Sequence, residues 1–157
     1  MTGQQPLNFS APSTTTAQLK PLLVGELNPY GADPKYALYP LPEGASGDRL
    51  CRLVMGLQRA EYLRRFDRVN LCVGKWSMRA ARVKSAEIEC QTPRTLVFLG
   101  RKVATAFNSG HHPPFSIVEV GGIRAVLLPH PSGLCREWNE PGAFDRARAV
   151  LREAGVL

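Results

Sequence analysis

Five short apolar runs, at residues 21–25, 69–73, 95–100, 115–120 and 123–128, constrain the fold more than any other feature of the chain. Runs of this length, rich in Leu, Val, Ile and Phe, read as buried strands rather than helices. Helix-forming stretches separate most of them. Residues 46–57 offer Cys51, Leu53, Val54 and Leu57 as one apolar face, with Ser46-Gly47-Asp48 expected to supply capping oxygens. A short helix is expected over 60–66. A longer one covers 78–89, with Ala80, Ala81, Val83, Ala86 and Ile88 available for packing. Residues 101–107 form another, ending near Asn108-Ser109-Gly110, and a last helix is expected from the N-cap Asn139 to Ala154, just before Gly155. Gly121-Gly122 joins the last two apolar runs as a hairpin. This alternation predicts an α/β fold whose central sheet is mostly parallel and covered on both faces.

The length of 157 residues suits one domain. Residues 1–18 carry no charge and are rich in Thr, Ser, Gln and Pro, so they are expected to form a flexible tail before a single domain at 19–157. No apolar stretch approaches the roughly 18 residues a membrane span requires, and no basic segment precedes a hydrophobic one. The expectation is a monomer inside the cell. A net charge of +7, from 20 Lys and Arg against 13 Asp and Glu, points toward a nucleic-acid partner. Fifteen of the cations are Arg, whose planar fork matches phosphate oxygens.

Two of the apolar runs end in loops that carry chemistry. The run at 21–24 leads into Gly25-Glu26-Leu27-Asn28-Pro29-Tyr30-Gly31, and the run at 123–129 leads into His130-Pro131-Ser132-Gly133-Leu134. Each delivers polar groups into a turn stiffened by Pro and Gly. Strand-end loops of an open parallel sheet converge on one crevice.

In their order along the chain, Asn28-Pro29-Tyr30 and His130-Pro131-Ser132-Gly133-Leu134 resemble the two motifs of the uracil-DNA glycosylase superfamily, with the resemblance spanning residues 21–157. It implies a three-layer α/β/α sandwich around a mostly parallel four-stranded sheet, and a monofunctional DNA glycosylase that hydrolyses the N-glycosidic bond of uracil or a related damaged or modified pyrimidine. Asn28 would position the attacking water. Tyr30 would exclude the 5-methyl group of thymine, Tyr39 would stack on the extruded base, with Tyr36 as the competing choice, and Asn70 would pair with uracil O4 and N3. Leu134 would wedge into the vacated stack, and Ser132 and the Gly133 backbone would hold a flanking phosphate, supported by Arg136 and Lys75.

His130 has a chemical rationale of its own, since a neutral imidazole can donate to the base carbonyl O2 as negative charge develops there. Asn28 can orient water but cannot accept its proton. Glu26 arises from a spacing one residue longer than the family's between Gly25 and Pro29. It is either the missing base or a brace that accepts backbone N–H groups. Neither motif contains a lysine that could form a Schiff base.

Some branches of the family hold an iron–sulfur cluster on four cysteines. Cys51, Cys72, Cys90 and Cys135 include no close pair, so no metal and no cofactor are expected. His111-His112 reads as a loop that is solvated or faces DNA, and Trp138 as core. Two further readings remain open: a catalytically weak or inactive DNA-binding module that recognises a modified base, and an enzyme acting on nucleotides or another N-glycoside.

Overall fold

The computed structural model describes residues 19–29, 31–91 and 93–157, so the expected tail at 1–18 and Tyr30 lie outside the described residues. The strands are β1 (Leu22–Asn28), β2 (Asp67–Val73), β3 (Leu96–Leu99), β4 (Ser116–Val120) and β5 (Ile123–Leu128). They form one sheet in the order β2-β1-β3-β5-β4. Four strands are parallel, and β4 runs antiparallel to β5. The sheet therefore has five strands rather than four. The extra one comes from the Gly121-Gly122 hairpin, whose two glycines at φ 56° and 80° fit the tight turn that folds β4 onto the edge.

Alternation along the strands sends apolar side chains to both faces. Leu23, Val97, Leu99, Val126 and Leu128 pack with Leu50, Val54, Tyr62 and Leu151. These come from α1 (Ser46–Asp48) with the π-helical segment Arg49–Val54 that continues it, from α2 (Arg59–Arg65) and from α5 (Ala143–Glu153). Leu22, Val24, Leu96, Phe98 and Leu127 pack on the other face with residues of α3 (Met78–Glu89) and α4 (Arg101–Ala106). The result is three layers, helix on sheet on helix. No helix among the described residues is long and apolar enough to cross a membrane.

Several local expectations are corrected. β1 continues past residue 25 to Asn28: it leaves β3 after the Val24–Phe98 pair but keeps β2 as partner through Leu27–Cys72 and Asn28–Val73. Glu26 and Asn28 are thus strand residues. In α3 the buried stripe is Ala81, Ser85 and Ile88, whereas Ala80 and Ala86 are exposed and Val83 is 60% exposed. Ser85 tolerates burial because its hydroxyl reaches the carbonyl of Ala106 at 3.0 Å. The last helix starts at Ala143, after a separate 3-10 turn at Arg136–Asn139. Pro141 pushes Glu140 into an extended conformation (ψ 136°), and Gly142 follows at φ 76°, so no continuous helix passes this point. Ser46 provides no cap. Asp48 reaches back instead, accepting the Gly44 N–H at 2.9 Å.

The segment between β1 and α1 is pinned from below. Fully buried Tyr62 donates its hydroxyl to the Leu38 carbonyl at 2.8 Å. Burial pushes the Tyr62 pKa up, so this group stays a donor at any ordinary pH. Tyr62→Phe leaves that buried carbonyl without its partner and is expected to lower unfolding free energy by about 1–2 kcal/mol, read by denaturant titration.

Candidate active site

The chain crosses from β1 to β2 on one side and then from β2 to β3 on the other, so the winding reverses between β1 and β3. Open α/β sheets bind ligands at the carboxyl ends of strands beside such a reversal. A cavity of about 490 Å³ lies there, lined by Glu26 and Asn28 from β1, Asn70 from β2 and His130 just past β5. Tyr36, Leu38, Tyr39 and the Ala45–Gly47 turn form its outer wall. The two strand-end loops thus meet at one pocket, although about a hundred residues separate them.

Gly100, which follows β3, sets how closely the two loops approach. Its backbone sits at φ 109°, a conformation open essentially to glycine alone, and its N–H donates to the Leu128 carbonyl at 2.9 Å. A Cβ here would lie 3.0 Å from Glu26 Oε1 and 3.3 Å from His130 Cβ. The carboxylate and the imidazole therefore flank the same bare stretch of main chain.

His130 is held in one tautomer. Its Nδ1 accepts the Ser132 N–H at 3.2 Å, which leaves the proton of the neutral ring on Nε2. Its carbonyl accepts the Trp138 indole N–H at 2.8 Å. Burial pushes the imidazole pKa below its ordinary value; the nearby Glu26 carboxylate opposes this and Lys102 reinforces it, leaving a net depression. The ring is accordingly a neutral N–H donor at neutral pH.

Asn28 is 5% exposed, and its Oδ1 accepts from Asn70 Nδ2 at 2.6 Å. The Asn70 side chain lies over Gly25, where any Cβ would collide with its carboxamide oxygen. Gly25 therefore earns its place sterically, by admitting Asn70. Among the described residues no backbone N–H donates to Glu26, the one acidic side chain lining the cavity.

Both candidate aromatics line the wall. Tyr36 and Tyr39 meet edge to face with ring centres 5.1 Å apart, and the Arg68 guanidinium lies 5.6 Å from the Tyr39 ring. Gly47 sits directly against the carbonyls of Leu38 and Tyr39, with no room for a side chain. Buried Asp48 fixes this turn, and its hydrogen bonds to Arg52 and Gly44 hold its carboxyl below the usual range.

Ser132, Gly133, Leu134 and Arg136 stand outside the cavity lining. Leu134 is 92% exposed, yet its turn is ordered by the Leu134 N–H to Ser132 Oγ (3.2 Å) and the Cys135 N–H to the Ser132 carbonyl (3.1 Å). Trp138 is core, stacked on Phe144 and edge-on to Phe115. Lys75 is exposed just past β2. The His111 and His112 rings lie 4.1 Å apart on a loop whose carbonyls at Gly110 and His112 accept from Arg101. Cys51 and Cys72 are buried in opposite cores, and no group of three or more metal-ligating side chains gathers among the described residues.

Sequence reasoning missed Gly100, Lys102 and the packing role of Gly25. Gly100 carried a readable signal, since it separates an apolar run from a helix start in the manner of a strand-end turn. No protein-family model matches the chain, and no curated protein matches it significantly. The chemistry of the cavity therefore follows from its own groups: one carboxylate, one imidazole N–H donor, a coupled amide pair and an aromatic wall.

Gly100→Ala forces a side chain into the gap between Glu26 and His130 at a disfavoured φ. A loss of about 1–3 kcal/mol is expected in chemical denaturation. The His130 depression has a pH signature. As pH falls, the unfolded chain takes up its proton near the ordinary histidine value, about 6.5, before the folded chain does, so folding stability attributable to this group is full above that value and declines below it. His130→Gln should flatten this part of the stability–pH curve relative to wild type.

Proposed function

We propose that this protein is a monofunctional DNA glycosylase of the uracil-DNA glycosylase superfamily, hydrolysing the N-glycosidic bond of uracil or a related damaged pyrimidine. The observation that carries the reading is the convergence of Glu26, Asn28, Asn70 and His130 on one cavity of about 490 Å³ at the winding reversal. The partner is DNA, met by a basic monomer inside the cell; a net charge of +7 supports that partner.

The groups divide the work as follows. An extruded pyrimidine stacks against the Tyr36–Tyr39 wall, while Asn70, with one amide hydrogen engaged by Asn28 and one to spare, reads the base edge. As the C1′–N1 bond breaks, its electron pair moves onto the base, and His130 Nε2–H donates to O2, where that charge accumulates. A water oriented by Asn28 adds to C1′. The amide cannot take the water's proton, so Glu26 accepts it. No lysine lines the cavity among the described residues, which supports simple hydrolysis without a Schiff base. Leu134, projecting from an ordered turn, fits the wedge that fills the vacated stack.

One observation favours the binding-module reading. The Asn28 side-chain Oδ1 is already engaged by Asn70 Nδ2 at 2.6 Å, which weakens its hold on a water. A binding module retains salt-sensitive DNA affinity in His130→Ala and releases no free base.

The deciding assay incubates the protein with labelled uracil-containing oligonucleotides, single- and double-stranded, followed by alkaline cleavage of abasic sites. Strand breaks are expected, with turnover reduced about 10²–10⁴-fold in Glu26→Gln and about 10²–10³-fold in His130→Ala. Absence of breaks at stoichiometric enzyme on both substrates overturns the enzymatic reading.

A further inference from the structure

Arg49 takes part in neither motif and does not line the cavity, yet it touches both halves of the site. It opens the π-helical segment Arg49–Val54, directly after the Ala45–Gly47 wall and α1. Its Nε donates to the carbonyl of Pro131 at 3.0 Å, across 82 residues of sequence. The rest of the guanidinium lies beside Gly133, with Cζ and Nη1 each 3.7 Å from where a Cβ of that residue would stand. Among the described residues nothing accepts from either terminal nitrogen, and Arg49 is only half-buried. Arg52 is held by Asp48, and Arg148 spends its fork on the carbonyls of Leu53 and Val54; Arg59 shares the pattern, giving its Nε to the Pro40 carbonyl at 3.2 Å, but it lies beside Asp48 and Cys51 rather than at the Ser132–Leu134 turn.

The surrounding turn leaves matching donors open. Gly133 is exposed and its N–H has no partner among the described residues, while the Ser132 hydroxyl accepts from Leu134 and keeps its own proton to give. An Nη edge, a backbone N–H and a hydroxyl on one rim are the donors a phosphodiester requires. The first bond of Arg49, to Pro131, fixes the fork so that little rotamer freedom remains to be lost when an anion arrives.

We propose that Arg49 is a positioning residue that clamps the phosphate next to the extruded nucleotide, seating the strand against the Ser132–Leu134 turn while its Nε holds that turn to the cavity wall. This rests on the glycosylase reading for the identity of the strand, but it concerns a residue that reading does not use.

The test measures binding of uracil-containing and abasic oligonucleotides across a salt series, together with KM and kcat, for wild type, Arg49→Ala, Arg49→Gln and Arg49→Lys. Loss of one phosphate contact lowers the slope of log affinity against log salt by about 0.7–0.9, expected for both Ala and Gln variants, whereas Lys keeps the slope because it keeps the charge. KM is expected to rise about tenfold in Arg49→Ala, with a smaller change in kcat. If Ala and Gln variants keep the wild-type slope and KM and lose only kcat, Arg49 is a structural brace and the proposal is overturned. Should Arg49→Ala not fold, the Gln variant, which retains an amide donor, decides the slope alone. A wild-type protein with neither salt-dependent DNA binding nor base release overturns the glycosylase reading and this clamp together; wild-type activity with unchanged Arg49 slopes overturns the clamp only.

Discussion

The close approach of β1, β3 and β5 at Gly100 governs the rest of the site. With no side chain at that position, the Glu26 carboxylate and the His130 ring come to share one stretch of backbone. A carboxylate beside an imidazole would ordinarily raise the imidazole pKa, but burial acts in the opposite sense and, with Lys102, outweighs it. The outcome is a carboxylate next to a neutral N–H donor at one cavity of about 490 Å³.

Both loops that frame the pocket are braced by side-chain hydrogen bonds to the main chain, each loop by one local partner and one distant in sequence. Tyr62 on α2 holds the Leu38 carbonyl, and Asp48 closes the 44–48 turn. Trp138 holds the carbonyl of His130, and Arg49 that of Pro131. Each brace is a hydrogen bond to the main chain, to a carbonyl oxygen for Tyr62, Trp138 and Arg49 and from an N–H for Asp48, so it fixes the path of the loop while leaving the loop's side chains free to face the pocket or the solvent. This explains how Leu134 can be almost wholly exposed and still project from an ordered turn.

The electrostatics of the molecule follow the same division. An excess of positive charge over the chain favours a polyanion, while the one carboxylate lining the cavity is set back within the pocket, between strand ends. Under the proposed function, a phosphate backbone would meet arginines and main-chain donors on the rim, and a base with its adjacent water would meet Glu26, Asn28 and His130 inside. Attraction of the strand and chemistry on the nucleotide thus need not compete for the same groups.

The α/β alternation, the Gly121-Gly122 hairpin and the two polar strand-end turns were legible in the amino acids, because apolar period and turn chemistry act within a few neighbouring residues. So was the candidacy of Asn28, Asn70 and His130, each a polar group placed in or just beyond an apolar run. Only the tertiary structure decided that β1 runs on to Asn28, since its partner there is β2, and that α3 buries Ala81, Ser85 and Ile88 rather than the stripe containing Val83. It alone brought Gly100 between Glu26 and His130 and laid Arg49 beneath Gly133. Which strand supplies a hydrogen-bond partner, and which helix face meets the sheet, are settled by chain segments that are remote in sequence and adjacent only once the sheet has formed.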